Sequence, residues 1–152
     1  MNPTMNNGIL IIAHTPLASA LRECVLHVFP DGAADVMALD VQPDALPQDT
    51  LAAAGRIMAQ SPADSTLILT DIYGATPCNV AQKLVDGVKT RLVCGVNLPM
   101  LLRAVTYRHE TLEALVARAL AGGAQGVMQV ATTAQQKQVK QKNDQDLGNY
   151  QQ

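Results

Sequence analysis

The sequence predicts an α/β domain: a doubly wound, mainly parallel sheet in strand order 2-1-3-4, with helices on both faces and a short C-terminal edge strand. Two observations predict it. Apolar runs of strand length alternate with segments of helical period along the chain. Two of those runs, GILIIAHTP and TLILTDIYGATP, share one further shape: each stops at a single ionisable residue and is followed by Thr-Pro. Parallel neighbours need helical crossovers, and right-handed crossovers put helices on both faces of the sheet.

Taken in order, Gly8–Ala13 is a buried strand. Leu17, Leu21, Cys24, Val25 and Val28 then repeat at helical spacing, with Arg22, Glu23 and His27 on the other side. Val36–Val41 is the second strand, and Pro47 to Gln60 a helix with Leu51, Ala54 and Met58 on one face. Thr66–Thr70 is the third strand, followed by a helix marked by Val80, Leu84 and Val85. Arg91–Val96 is the fourth, ended by Asn97-Leu98-Pro99 and a short helix through Val105. Leu112, Leu115, Val116 and Ala119 mark a last helix, which Gly122-Gly123 should close. Gly126–Ala131 is the expected edge strand. These elements make one domain over 1–131; the polar, Gln-rich stretch 132–152 has too little apolar surface to offset its ordering entropy and is expected to be a disordered tail.

Composition narrows the function. At 152 residues, 48% hydrophobic and 16% charged, the chain suits a globular domain with a sizeable core. A net charge of -2 gives no pull toward nucleic acid or anionic lipid, and 3% aromatic residues leave little for base stacking. No apolar run approaches the ~20 residues that cross a bilayer, and MNPTMNNGIL lacks the basic start of a signal peptide. Cys24, Cys78 and Cys94 form no C-x-x-C pair, so neither a disulfide framework nor a zinc knuckle is indicated. A reduced, cytoplasmic protein without direct membrane insertion is the expectation.

The chemistry lies at two strand ends. In open α/β sheets ligands bind beyond the carboxyl ends of the strands, where strand order reverses. With order 2-1-3-4 that point falls between strands one and three, so His14 and Asp71 should face each other there. Thr15-Pro16 and Thr76-Pro77 have the form of helix starts, with Thr as cap and Pro at the first helical position; Leu98-Pro99 offers a third. Helix starts present unpaired N–H groups and favour anions such as phosphate. Gly74 lets the loop backbone come close to a ligand. These parts suit a histidine that accepts a phosphoryl group: one imidazole nitrogen attacks while Asp71 binds the N–H on the other. Thr15, Thr76 and backbone amides would stabilise the charged oxygens. No P-loop or G-x-G-x-x-G is present, so the donor should be another protein rather than a bound nucleotide. His27 and His109 read as structural, and Cys78 as a small packing residue in a first helical turn.

The strings AHTPLASAL, LTDIYGATPCNVA and GVNLPMLLRA, in this order, resemble the IIA proteins of the mannose-type family in the bacterial sugar phosphotransferase system. The resemblance spans roughly residues 8–131. It implies a phosphocarrier that takes phosphate from the histidine phosphocarrier protein HPr and passes it to a IIB partner, using a phosphohistidine and no metal or other cofactor. It makes His14 the phosphorylated residue and Asp71 its hydrogen-bonding partner, with Thr76 where the family often has Ser. It also implies a homodimer, in some members made by exchanging the last strand. The chain departs from the pattern at Ile72 and Tyr73, where some members carry Thr and Trp, and at Thr15, a frequent Gly.

An alternative reading is a regulatory phosphoacceptor on the same scaffold, signalling through protein binding without sugar transport. Tyr73 with Leu98, Pro99 and Met100 near the crevice would then form the contact patch. The phosphocarrier subunit of dihydroxyacetone kinase is a third, lower-ranked relative, and a thiol or metal enzyme ranks lower still.

Overall fold

The computed structural model of the chain describes residues 5–131. Strand β1 (Asn7–His14) leads into helix α1 (Leu17–Val28) and a 3-10 turn (Pro30–Ala34), then β2 (Val36–Val41) and α2 (Pro47–Gln60). β3 (Ser65–Thr70), α3 (Thr76–Gln82), β4 (Thr90–Cys94), α4 (Leu98–Thr106) and α5 (Leu112–Gln125) complete it. The four strands form one sheet in the order β2-β1-β3-β4, and every neighbouring pair is parallel. The predicted class and strand order hold. The Gln-rich stretch 132–152 lies outside the described residues.

Side chains alternate across a strand, so each face of the sheet collects every second residue. Ile9, Ile11 and Ala13 of β1 join Leu67, Leu69 and Val93 under α1, α4 and α5. Leu10, Ile12 and Ile68 face the other way, against Ala54 of α2 and Ala81 of α3. β1 and β3 are thus buried on both faces, which is why they read as unbroken apolar runs. Each fully buried Ile or Leu contributes about 1.5–3 kcal/mol, and seven of them in β1 and β3 have no exposed surface. Four are Ile9, Leu10, Ile11 and Ile12 in β1, and three are Leu67, Ile68 and Leu69 in β3.

The C-terminal region differs from expectation. No strand forms at Gly126–Ala131 among the described residues; the segment is irregular, with Val127, Met128 and Val130 exposed. Gly122-Gly123 does not close the last helix either, since α5 runs on to Gln125. The reason is close packing on α4. A Cβ added at Gly122 would lie 2.7 Å from Arg103 Cβ, and one at Gly123 would lie 2.7 Å from Met100 Cε. One at Gly126 would collide with the Pro99 ring. These glycines let two helix backbones approach rather than stopping a helix.

Two smaller shifts occur. The buried stripe of α1 is Ala18 and Val25, with Leu21 packed beside them; Cys24 and Val28 are exposed. β4 ends at Cys94, two residues early, because Gly95 turns the chain at φ +86°.

Candidate functional site

β1 and β3 run side by side with Ile12 opposite Thr70, so His14 and Asp71 leave the sheet at neighbouring points. They meet there. Asp71 Oδ2 accepts the backbone N–H of His14 at 3.0 Å and stands 2.6 Å from its ring Nδ1. Asp71 Oδ1 accepts the N–H of Ile72 at 2.9 Å. A carboxylate fixed by two backbone amides therefore holds the imidazole by one nitrogen. The contact assigns the Nδ1 proton to the bond with Asp71 and leaves the Nε2 lone pair free. The His14 side chain is 50% exposed and that of Asp71 only 12%, so the nucleophile is open while its holder is sheltered.

Burial alone would raise the Asp71 carboxyl. Hydrogen bonds from the His14 amide and ring and from the Ile72 amide, with the charge of His14, outweigh it and hold the group below the ordinary carboxylate value. Asp71 is therefore an anion at neutral pH, suited to stabilise an imidazole that becomes cationic.

The surrounding residues meet expectation unevenly. Thr15 is half-buried, and its N–H donates to the Val41 carbonyl at 3.1 Å. It does not cap α1: Pro16 holds the N-cap position and no side chain of its own caps the helix. The capping carboxylate comes from Asp40 in β2, which accepts the Ser19 N–H at 3.0 Å and also the Ser19 hydroxyl. Sequence reasoning missed Asp40, although a lone acid inside the apolar run VMALDV gives the same signal as Asp71. Thr76 is not a cap either but the first residue of α3, with Ala75 at the N-cap. As first and third helical residues, Thr76 and Cys78 have N–H groups without an intrahelical acceptor, and Pro77 has none to offer.

Gly74 takes the left-handed conformation at φ +87° in an exposed loop, where a side chain would be strained. Its carbonyl accepts from Asn79 Nδ2 at 3.4 Å. Ile72 is exposed and Tyr73 is 74% exposed, directly beside Asp71 in the chain. The third helix start is closed internally: Asn97 Oδ1 accepts the Met100 N–H at 2.9 Å, and Asn97 Nδ2 donates to Gly123 O at 3.1 Å. Leu98 is half-buried against the core, Pro99 is exposed, and Met100 is buried against α5. Met100 therefore presents no contact surface. Among the described residues, no three or more His, Cys, Asp or Glu gather as a metal-binding group.

A family model described as "PTS system fructose IIA component", EIIA-man, matches residues 8–120, well over half of the chain. The chain belongs to the EIIA-man family. Membership gives it a role in sugar uptake by the phosphotransferase system and, in general terms, a phosphotransferase activity. The phosphotransferase system component EIIA of Streptococcus agalactiae shares 25% identity at a TM-score of 0.71, covering 80% of this chain and 95% of that one. The mannose/sorbose specific IIA subunit of Enterococcus faecalis has a TM-score of 0.75 at 24% identity, covering 84% of this chain and 96% of that one. A sigma-54 interaction domain protein of Enterococcus faecalis has the same fold at 16% identity and a TM-score of 0.65, covering 78% of this chain and 91% of that one. A search of curated protein sequences finds no match. No described helix of this EIIA-man chain is long and apolar enough to cross a membrane.

Proposed function

We propose that this EIIA-man protein is a cytoplasmic phosphocarrier that takes a phosphoryl group from phosphorylated HPr onto His14 and hands it to a IIB protein. The single observation that carries the reading is the Asp71 carboxylate held 2.6 Å from Nδ1 of a half-exposed His14. In the first step the Nε2 lone pair attacks phosphorus in line with the leaving nitrogen of the donor. The new N–P bond forms as the donor's N–P bond breaks, and the donor imidazole takes that electron pair back. No proton leaves His14, because the proton stays on Nδ1, which keeps donating to the Asp71 oxygen, and the ring becomes cationic beside the carboxylate. In the second step the IIB acceptor attacks the same phosphorus, and His14 returns to the neutral ring.

Such a transition state is loose and carries its charge on the phosphoryl oxygens, so catalysis is chiefly positioning and electrostatics. The Thr76 hydroxyl and amide, the Thr15 hydroxyl and the loop at Gly74 are assigned to those oxygens. The exposed Tyr73, with Leu98 and Pro99, is assigned to partner contact. The exposed Val127, Met128 and Val130 support a homodimer, since a second copy would cover them.

The test is direct. After mixing with phosphorylated HPr, the protein should carry an acid-labile, alkali-stable phosphate that His14→Ala lacks. Normal labelling of His14→Ala would overturn the assignment. Adding a IIB protein should then discharge the label; phosphoprotein that no IIB discharges would move the reading to a regulatory phosphoacceptor.

A further inference from the structure

We infer that Asp40 is a positioning residue for His14, acting through the first turn of α1; this rests on the phosphocarrier reading above. His14 ends a strand that has a neighbour on each side. On the β3 side, Asp71 holds its N–H and its ring. On the β2 side, Asp40 stands opposite Ala13 and Val41 opposite His14 in the parallel register. Those two consecutive residues grip the chain just past the histidine. The Val41 carbonyl takes the Thr15 N–H at 3.1 Å, and the Asp40 carboxylate takes both the N–H and the hydroxyl of Ser19. The passage from strand to helix, His14 to Ser19, is therefore pinned at its second and last residues.

The consequence is angular. Asp40 fixes where α1 begins, and hence the direction in which the backbone leaves His14. A carboxylate accepting the amide of the third helical residue is a strong cap, because it meets an unpaired N–H at the positive end of the helix. Without it, the first turn is free to fray. The ring must then find Asp71 Oδ2 from a backbone that is less well fixed, and small misplacements of reacting groups are costly. Asp40 itself is half-buried, and its hydrogen bonds go to Ser19 alone, so its removal opens no hole in the core.

The same helix supplies an internal comparison. Arg22 ties α1 to the opposite end of β2 by donating to the carbonyls of Val36 at 2.7 Å and Ala33 at 2.9 Å. Both residues anchor α1 to the β2 region, but only Asp40 does so next to His14. With Arg22 in place, loss of Asp40 should loosen the first turn without detaching the helix.

Single-turnover phosphorylation of the full chain by phosphorylated HPr tests this. Asp40→Ala is expected to lower the maximal rate by roughly tenfold, with the half-saturating donor concentration unchanged, since the effect is on geometry and not on docking. Asp40→Asn, whose amide oxygen still accepts the Ser19 N–H, should recover the rate to within about threefold. Arg22→Ala should lower the melting temperature and leave the maximal rate alone. Nitrogen-15 spectra of the unphosphorylated protein should show His14 as the single Nδ1–H tautomer in the wild type and as a mixture in Asp40→Ala. A wild-type rate and tautomer in Asp40→Ala would overturn the inference, as would an equal slowing by Arg22→Ala. Wild-type protein that takes no label would sink the phosphocarrier reading instead, and the tautomer comparison would still decide whether Asp40 orders His14.

Discussion

The two ends of β1 carry polar side chains, and they are treated in opposite ways. At the start of the strand, Asn7 Nδ2 donates to the Arg108 and Glu110 carbonyls at 2.9 and 2.7 Å. Arg108 in turn donates to Asp35 at 3.0 Å and to the Val105 carbonyl at 2.8 Å, and lies 3.7 Å from Asp31, its side chain only 11% exposed. At the other end, His14 is half-exposed and its ring has one partner, Asp71. The first network spends its donors on holding the sheet to the loop between α4 and α5. The second fixes one ring nitrogen and leaves the other unspent. A polar cluster that satisfies itself is architecture; one that keeps a lone pair in the open is ready for chemistry.

The comparison breaks most visibly under substitution. Asp71→Ala should slow phosphorylation of His14 by roughly 10²-fold or more if orientation and charge carry the step, as read in the same single-turnover assay. Arg108→Ala should do the reverse. It should cost about 1–3 kcal/mol of folding stability through the lost bonds to the Asp35 carboxylate and the Val105 carbonyl, measured by denaturant unfolding, with transfer unchanged. An Arg108→Ala protein of normal stability and impaired transfer would erase the distinction between the two ends.

Acid titration sharpens it further. Because the folded-state Asp71 carboxyl is held below its unfolded value, its contribution to stability is fully present above about pH 4. That contribution is lost as the pH falls through the lower folded value. Unfolding curves of wild type and Asp71→Asn should therefore keep a constant separation near neutrality and converge below about pH 4. A gap that widens on acidification would mean that the carboxylate is not held down by its donors. The packing contact that sequence misjudged should leave transfer untouched altogether: Gly126→Ala pushes a methyl into Pro99 and should cost about 1–3 kcal/mol of stability alone.

The class, the strand order and the meeting of His14 with Asp71 were all readable in the letters, because strands buried on both faces leave continuous apolar runs and an ionisable residue marks where each run emerges. What failed depended on neighbours distant in sequence. Gly122-Gly123 looks like a helix stop until α4 is seen lying against it. Thr15 looks like a cap until Asp40, a charged acceptor 21 residues from Ser19, takes the amide instead. GVMQVA has strand composition whether or not a partner is there to pair with it, so composition alone could not place it. Met100 is apolar enough for a docking patch, yet the missing side chain of Gly123 draws it inward.

The most direct measurement is the position of the phosphate itself. Nitrogen-15-labelled protein phosphorylated by HPr, read by phosphorus–nitrogen coupling, should show one N–P bond, at Nε2 of His14, with Nδ1 still protonated. Phosphate on Nδ1 of His14, on His27 or His109, or on the Asp71 carboxylate would contradict the account.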